Sequence, residues 1–276
     1  MSENGRKGRG VFFLAAGGSI LVLFLLLAVL VPYLSPYQAT AQDVSVQNRG
    51  CSMEHLFGTD KFGRDLFTRV WYGTRISLAV GILSTAINTL IGILYGGISG
   101  YAGSRTDSVM MRLADIIDAV PSLLYIILIV LVMGAGIRSI VLGICVSGWT
   151  RMARLIRGEI LRLRNAEYIQ AAHLAGAGAL RILQKQMLPN MAGLIIVNMV
   201  SQVPEAIFKE AFLSFVGVGI AAPQASLGTL IQDARSQMML YPGQMMFPVL
   251  ALCLLILALD LAGTGLRQCF VKHIAE

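Results

Sequence analysis

Residues 11–31 read Val-Phe-Phe-Leu-Ala-Ala-Gly-Gly-Ser-Ile-Leu-Val-Leu-Phe-Leu-Leu-Leu-Ala-Val-Leu-Val, a run with no charge and no proline. As a helix rising about 1.5 Å per residue, such a run spans the roughly 30 Å hydrocarbon core of a bilayer. The chain of 276 residues is 56% hydrophobic and 13% charged. Soluble domains carry about 25% charged residues, so this sequence lacks the polar coat that water demands. In lipid every backbone polar group must pair internally, which leaves helices or a closed barrel. Long apolar runs, in place of short alternating ones, select helices. The run follows a basic head, Arg6, Lys7 and Arg9, and is followed by Ala39-Thr40-Ala41, which resembles a cleavage site. Its apolar core exceeds the usual 7–15 residues of a signal peptide. The tripeptide also lies beyond Pro32 and Pro36, so the reading is a retained first span.

Outward from that run the expected architecture is all-α, with six transmembrane helices and both termini cytoplasmic. Residues 1–34 form the tail and first span, and 35–75 an extracytoplasmic segment. Residues 76–266 form a five-helix core, and 267–276 a tail with Arg267 and Lys272. The second span, from about Ile76 to Gly100, carries Gly92, Gly96 and Gly100 on nearly one face, which predicts close approach of another helix. Ser104 to Asp118 is short and charged and reads as a brief amphipathic cytoplasmic helix. Pro121 opens a third span to about Met133. A fourth starts near Ser139 and grades after Trp149 into a basic helix ending near Arg164. The fifth, about Met191 to Val216, is interrupted by Pro204, and the last runs from about Met245 to Leu266. Most Lys and Arg then fall inside, as the positive-inside rule requires, although the external segment 49–75 is unusually basic.

That placement assigns the net charge of +7 to membrane orientation and not to nucleic acid. Cys51, Cys145, Cys253 and Cys269 do not make a disulfide framework, and His55, His173 and His273 lack ligand spacing, so no metal is expected. Gly58 to Gly63 has P-loop spacing, but Arg64-Asp65 stands where Lys-Ser/Thr is needed to hold phosphate and magnesium. An intramembrane enzyme would need a nucleophile with a base, and a secondary transporter internal repeats; neither pattern is evident.

Two stretches carry candidate chemistry. Residues 165–189 are rich in Ala, Leu and Gln, with Gly176 and Gly178 permitting an elbow and Pro189 ending the second piece. They predict two short helices in a hairpin, within a loop spanning 158–189 between the fourth and fifth spans. Its small surface at Ala171, Ala172 and Ala175 suits a docking element as well as an ordinary connection. In the fifth span Glu205, Lys209 and Glu210 either line a translocation path or sit near the outer interface beyond Pro204. Glu205 and Lys209, four apart, can pair. Asp260 either lines an inner vestibule or lies near the cytoplasmic boundary.

The 165–189 segment resembles the Glu-Ala-Ala loop of bacterial ABC importer permeases. Ala171, Ala172, Gly176, Leu188 and Pro189 match its pattern; Gln170 stands at the acidic position and Gln186 at the isoleucine. Gly58-Thr-Asp60-Lys-Phe-Gly63-Arg64-Asp65, with Gly73-Thr-Arg75-Ile-Ser77-Leu78, is similar to the second permease subunit of dipeptide, oligopeptide and nickel importers. So is Glu210-Ala-Phe-Leu213-Ser214-Phe215-Val-Gly217-Val-Gly219. The resemblance implies a permease subunit in the bacterial cytoplasmic membrane, forming half of a path for peptides, or alternatively for nickel or a metal chelate. It implies a heterodimer with a homologous permease, two ATP-binding subunits docked on the hairpin, and an extracytoplasmic substrate-binding protein. This chain would then bind no cofactor and catalyse nothing itself, the partners using ATP and magnesium. The Thr264-Gly265-Leu-Arg267-Gln268 ending departs from the acidic residues common in that family.

Overall fold

A computed structural model describes residues 3–270, so Lys272 and His273 lie outside the described residues. Its helices are α1 (Glu3–Leu34), α2 (Leu66–Ala102), α3 (Ser104–Ala119), α4 (Ser122–Met133), α5 (Ile137–Ser147), α6 (Thr150–Leu163), α7 (Glu167–Leu174), α8 (Ala179–Ile182), α9 (Leu188–Val216), α10 (Leu227–Arg235) and α11 (Gly243–Phe270). Among the described residues no strand forms, only an isolated bridge pairing Thr59 with Asp65. Five stretches are long and apolar enough to cross a membrane: Arg9–Leu34, Leu66–Ala102, Ile137–Leu163, Ala179–Val216 and Gly243–Cys269. A sixth crossing requires α3 and α4 together, bent by 76°. Alone, the 12 residues of α4 reach only about 18 Å. The bend falls at Val120, held extended before Pro121 because the proline ring disfavours a helical predecessor.

Three local expectations change. Helix α2 begins at Leu66 and not near Ile76, so residues 66–75 are helical instead of loop. Asp65 caps this start, accepting from the Thr68 amide at 2.8 Å. The basic residues that lowered the apparent hydropathy there are absorbed: Arg69 by ion pairs, and Arg75 over the Tyr33 ring at 5.8 Å. Pro189 does not end the hairpin's second piece; it lies in the first turn of α9, and helical chain continues from Ala179 to Val216. A π-turn at Leu183–Met187 precedes it, with the Leu188 amide bonded back to Leu183, and widens the backbone where a proline would otherwise clash. Pro204 likewise interrupts nothing, since α9 runs through it.

Helix α2 is the axis of the bundle, touching α1, α3, α5, α6, α9, α10 and α11. The glycine row behaves as its spacing predicts. A Cβ on Gly92 would lie 2.5 Å from Cβ of Met152, and one on Gly100 would lie 3.0 Å from Cβ of Ile160. A Cβ on Gly96 would strike the Ala153 carbonyl of α6. Because that obstacle is backbone, Gly96→Leu forces the helices apart. The expected loss is about 1–3 kcal/mol of stability, read as a lower thermal midpoint of the purified protein in detergent; an unchanged midpoint would contradict the packing. Helix α1 sits at the periphery, packed on α11 through Gly17 and Gly265. Only 17% of its most apolar window is buried, against 67% for Ile137–Leu163, and its Leu23, Leu26 and Leu30 are exposed on the outside of the bundle.

Candidate functional site: a mid-bundle cavity and an exposed hairpin

Two structures cap opposite ends of α2, about 55 Å apart at 1.5 Å per residue. At the start of α2, residues 43–65 fold into a lobe. Asp43 opens its 3₁₀ turn, and bonds from the Ser45 hydroxyl and amide hold its carboxyl below the usual range. Gly58 and Gly63 have φ of 75° and 72°. A Cβ at either would collide with backbone, of Arg49 and Asp43 respectively, so the P-loop-like spacing serves a tight fold. Asp60 accepts from the amides of Phe62 (2.8 Å) and Arg64 (3.0 Å) and from Nε of Arg64 (2.6 Å). Arg69 lies 3.5 Å from Asp60, and Arg64 and Arg69 reach Asp233 of α10 at 3.0 and 3.3 Å. Gln244 of α11 donates to Asn48 (2.8 Å) and to the Thr59 carbonyl (3.1 Å), which ties the last helix to the lobe.

Halfway along α2, a cavity of about 390 Å³ opens between α2, the end of α3, α4, α5, α6 and α9. Thr85, Asn88, Asp118, Arg151, Arg154, Gln202, Glu205 and Lys209 are among its lining. Glu205 pairs with Lys209 at 2.9 Å, one helical turn on, and with Arg151 of α6 at 2.8 Å. Arg154 adds a second group, reaching Asp115 at 3.0 Å and Asp118 at 2.5 Å. Positive and negative side chains thus share the lining of one cavity.

Glu210 is not brought to this cavity. It is wholly buried and accepts from the hydroxyls of Ser77 (2.7 Å) and Ser214 (2.8 Å), joining α2 to α9; no cation among the described residues pairs with it. The Ser77 hydroxyl also receives the Leu227 amide of α10 at 3.4 Å. Glu210 therefore positions three helices. Replacement by alanine strands two buried hydroxyls, at about 1–3 kcal/mol, whereas Glu210→Gln retains the acceptor. The alanine variant should lose stability in a thermal denaturation series and the glutamine variant much less; equal losses would contradict this role. Asp260 is exposed on α11, with neither hydrogen bond nor ion pair among the described residues.

At the far end of α2 lie two short helices, α7 and α8, joined by a bend at residues 175–178. Gly176 adopts φ of 78° and closes α7, its amide bonded to the His173 carbonyl and that of Ala177 to Ala172. One face is locked: Ile169, Ile182 and Met187 are fully buried with Met152, Ile156, Ile160 and Met191. Tyr101, near the end of α2, meets His173 at 3.1 Å. Gln170, Ala171, Gly176 and Pro189 are exposed, and Ala172 and Leu188 half-buried. Sequence reasoning overlooked the apolar tip, Leu174 at 91% exposure and Leu180 at 66%. The available signal was two leucines flanking the glycine bend in an otherwise small or polar segment.

The family profile of the binding-protein-dependent transport system inner membrane component matches residues 88–275. The dipeptide transport system permease protein DppC of Bacillus subtilis is 44% identical over 257 residues, 92% of this chain and 80% of that protein. The oligopeptide transport system permease protein OppC of the same organism is 42% identical over 249 residues, covering 90% and 82%. OppC of Haemophilus influenzae is 38% identical over 258 residues, covering 92% and 83%. With these likenesses running through the cavity helices and the hairpin alike, the chain belongs to the family of binding-protein-dependent transport system inner membrane components, as a multi-pass membrane permease.

Proposed function

We propose that this permease forms half of a peptide path across the bacterial cytoplasmic membrane, in an importer powered by separate ATPase subunits. Peptide is favoured over nickel by the names of the relatives, which are dipeptide and oligopeptide permeases. A homologous permease completes the path, an extracytoplasmic binding protein delivers the substrate to the lobe end, and two ATPases engage the hairpin end. Both termini and the hairpin are cytoplasmic in this reading. The observation that carries it is the division of the hairpin into a locked face and a bare tip: Ile169 and Ile182 are fully buried while Leu174 is 91% exposed. A rigid base transmits displacement, and an apolar tip seats in a partner's groove.

In this reading Gln170, Ala171, Ala172, Gly176, Leu188 and Pro189 shape the docking element, and Glu205 and Lys209 line the path. ATP-driven closure of the partner subunits moves the hairpin, and α6 and α9 carry the motion to the cavity. The chain itself performs no chemistry; ATP and magnesium belong to the ATPases. Uptake of a labelled peptide into proteoliposomes holding the complete importer tests this. Uptake should require both this chain and hydrolysable ATP on the hairpin side. Uptake sustained by an ion gradient without ATP would replace the reading with secondary transport.

A further inference from the structure

The cavity wall contains a feature that its charges do not explain. Thr85, Asn88 and Gln202 belong to the cavity wall, and among the described residues Oγ1 of Thr85, Oδ1 of Asn88 and Nε2 of Gln202 are buried without a hydrogen-bond partner. The three residues are 2%, 3% and 9% exposed. Oγ of Ser84 and Oγ1 of Thr89, likewise unpartnered among the described residues, extend the row along α2. A buried polar group left unpaired is costly, and several side by side in an apolar bundle are unusual. Asn88 is held against Gly148, where an added Cβ would meet its amide carbon at 2.8 Å, so α5 and α6 join at a residue that leaves room for it.

Building on the proposed path, we infer that Thr85, Asn88 and Gln202 form a neutral hydrogen-bonding track that binds the backbone amides of the peptide in transit. A carboxamide offers one carbonyl acceptor and an N–H donor pair, the same functions that a peptide group presents, whatever its side chains. A hydroxyl supplies either role. The charges stand at one side of this track, Glu205 flanked by Lys209 and Arg151, where a peptide's ammonium or carboxylate terminus finds a complement. A neutral track suits a carrier better than fixed ionic contacts, because exchanging one modest hydrogen bond for another lets the cargo advance without a deep trap. It reads what every peptide shares, and leaves side-chain selectivity to the receptor.

The test uses the complete importer in proteoliposomes with Asn88→Leu, Gln202→Leu and the double variant. Uptake is compared for a peptide and its backbone N-methylated analogue, each at receptor saturation. Because the receptor is common to all variants, the variant-to-wild-type ratio for each peptide isolates the permease. The expected result is normal subunit assembly, a fivefold or greater loss of uptake for the unmodified peptide, and little further loss for the N-methylated one. Unchanged uptake, or an equal loss for both peptides, overturns the track. Failure of the subunits to co-purify also overturns it, by assigning these groups to a subunit interface. A separate variant, Ser122→Cys at a less buried point of the cavity wall, made with the exposed Cys51, Cys253 and Cys269 replaced by serine and modified by a bulky thiol reagent, interrogates the path itself. If modification leaves uptake intact, the cavity is not the path and the proposed route falls. If it blocks uptake while the leucine variants transport normally, only the track falls.

Discussion

Replacing Asp60 by alanine is expected to destabilise the protein by about 3–5 kcal/mol, the usual consequence of removing one partner from a buried ion pair. Asp60 is 5% exposed and Arg69 3%, so water cannot take over the lost contacts. The carboxylate serves two amides, the Arg64 guanidinium and the Arg69 guanidinium. Without it Arg69 keeps, among the described residues, only Asp233, shared with Arg64, and its Nε already lacks a partner there. The damage should spread beyond the lobe, since Arg64 and Arg69 tie it to Asp233 of α10. Purified Asp60→Ala should show a markedly lower thermal midpoint and earlier proteolysis between residues 43 and 65. Asp60→Asn should recover part of the loss by accepting from the amides. A variant as stable as the parent would mean that the cluster does not hold the lobe.

Leu174→Asp should have the largest functional effect. The leucine is almost fully exposed and belongs to none of the buried clusters, so the substitution leaves the fold alone. In the docked importer it would bury a charge in the partner's apolar groove, which is costly unless a cation is at hand. ATPase subunits should co-purify at least tenfold less well, with peptide uptake falling in step and the melting behaviour of the permease unchanged. Gly176→Val acts differently on the same element. It forces a β-branched residue to φ near 78°, at about 1–2 kcal/mol, and distorts the hairpin without altering its tip chemistry. Normal ATPase assembly and uptake in Leu174→Asp would remove the tip from the interface.

Much of this arrangement is legible in the chain, and the exceptions share a cause. Apolar runs reveal α1 and α11 because lipid-facing helices need little else. The Gly92, Gly96 and Gly100 row identifies the face on which α6 approaches, since the close contact depends only on missing side chains. Local spacing also pairs Glu205 with Lys209. Local spacing cannot supply Arg151, which lies 54 residues away, or match Arg64 with Asp233, 169 residues distant. The start of α2 was obscured for that reason, because its arginines look like loop residues until their distant partners are known. Glu210 could have been separated from Glu205 beforehand: five residues at 100° each place it about 140° around the helix, on another face. Pro189 misled because a π-turn, which no local pattern announces, absorbs it.

The docked hairpin is the claim on which the transport reading turns, and proximity tests it most directly. A photo-reactive amino acid at Ala171, exposed on α7, can be activated in membranes that contain the whole importer. The account predicts an adduct with an ATPase subunit whose yield changes between ATP-bound and nucleotide-free states. Adducts confined to the extracytoplasmic receptor, or none to an ATPase in either state, would contradict it.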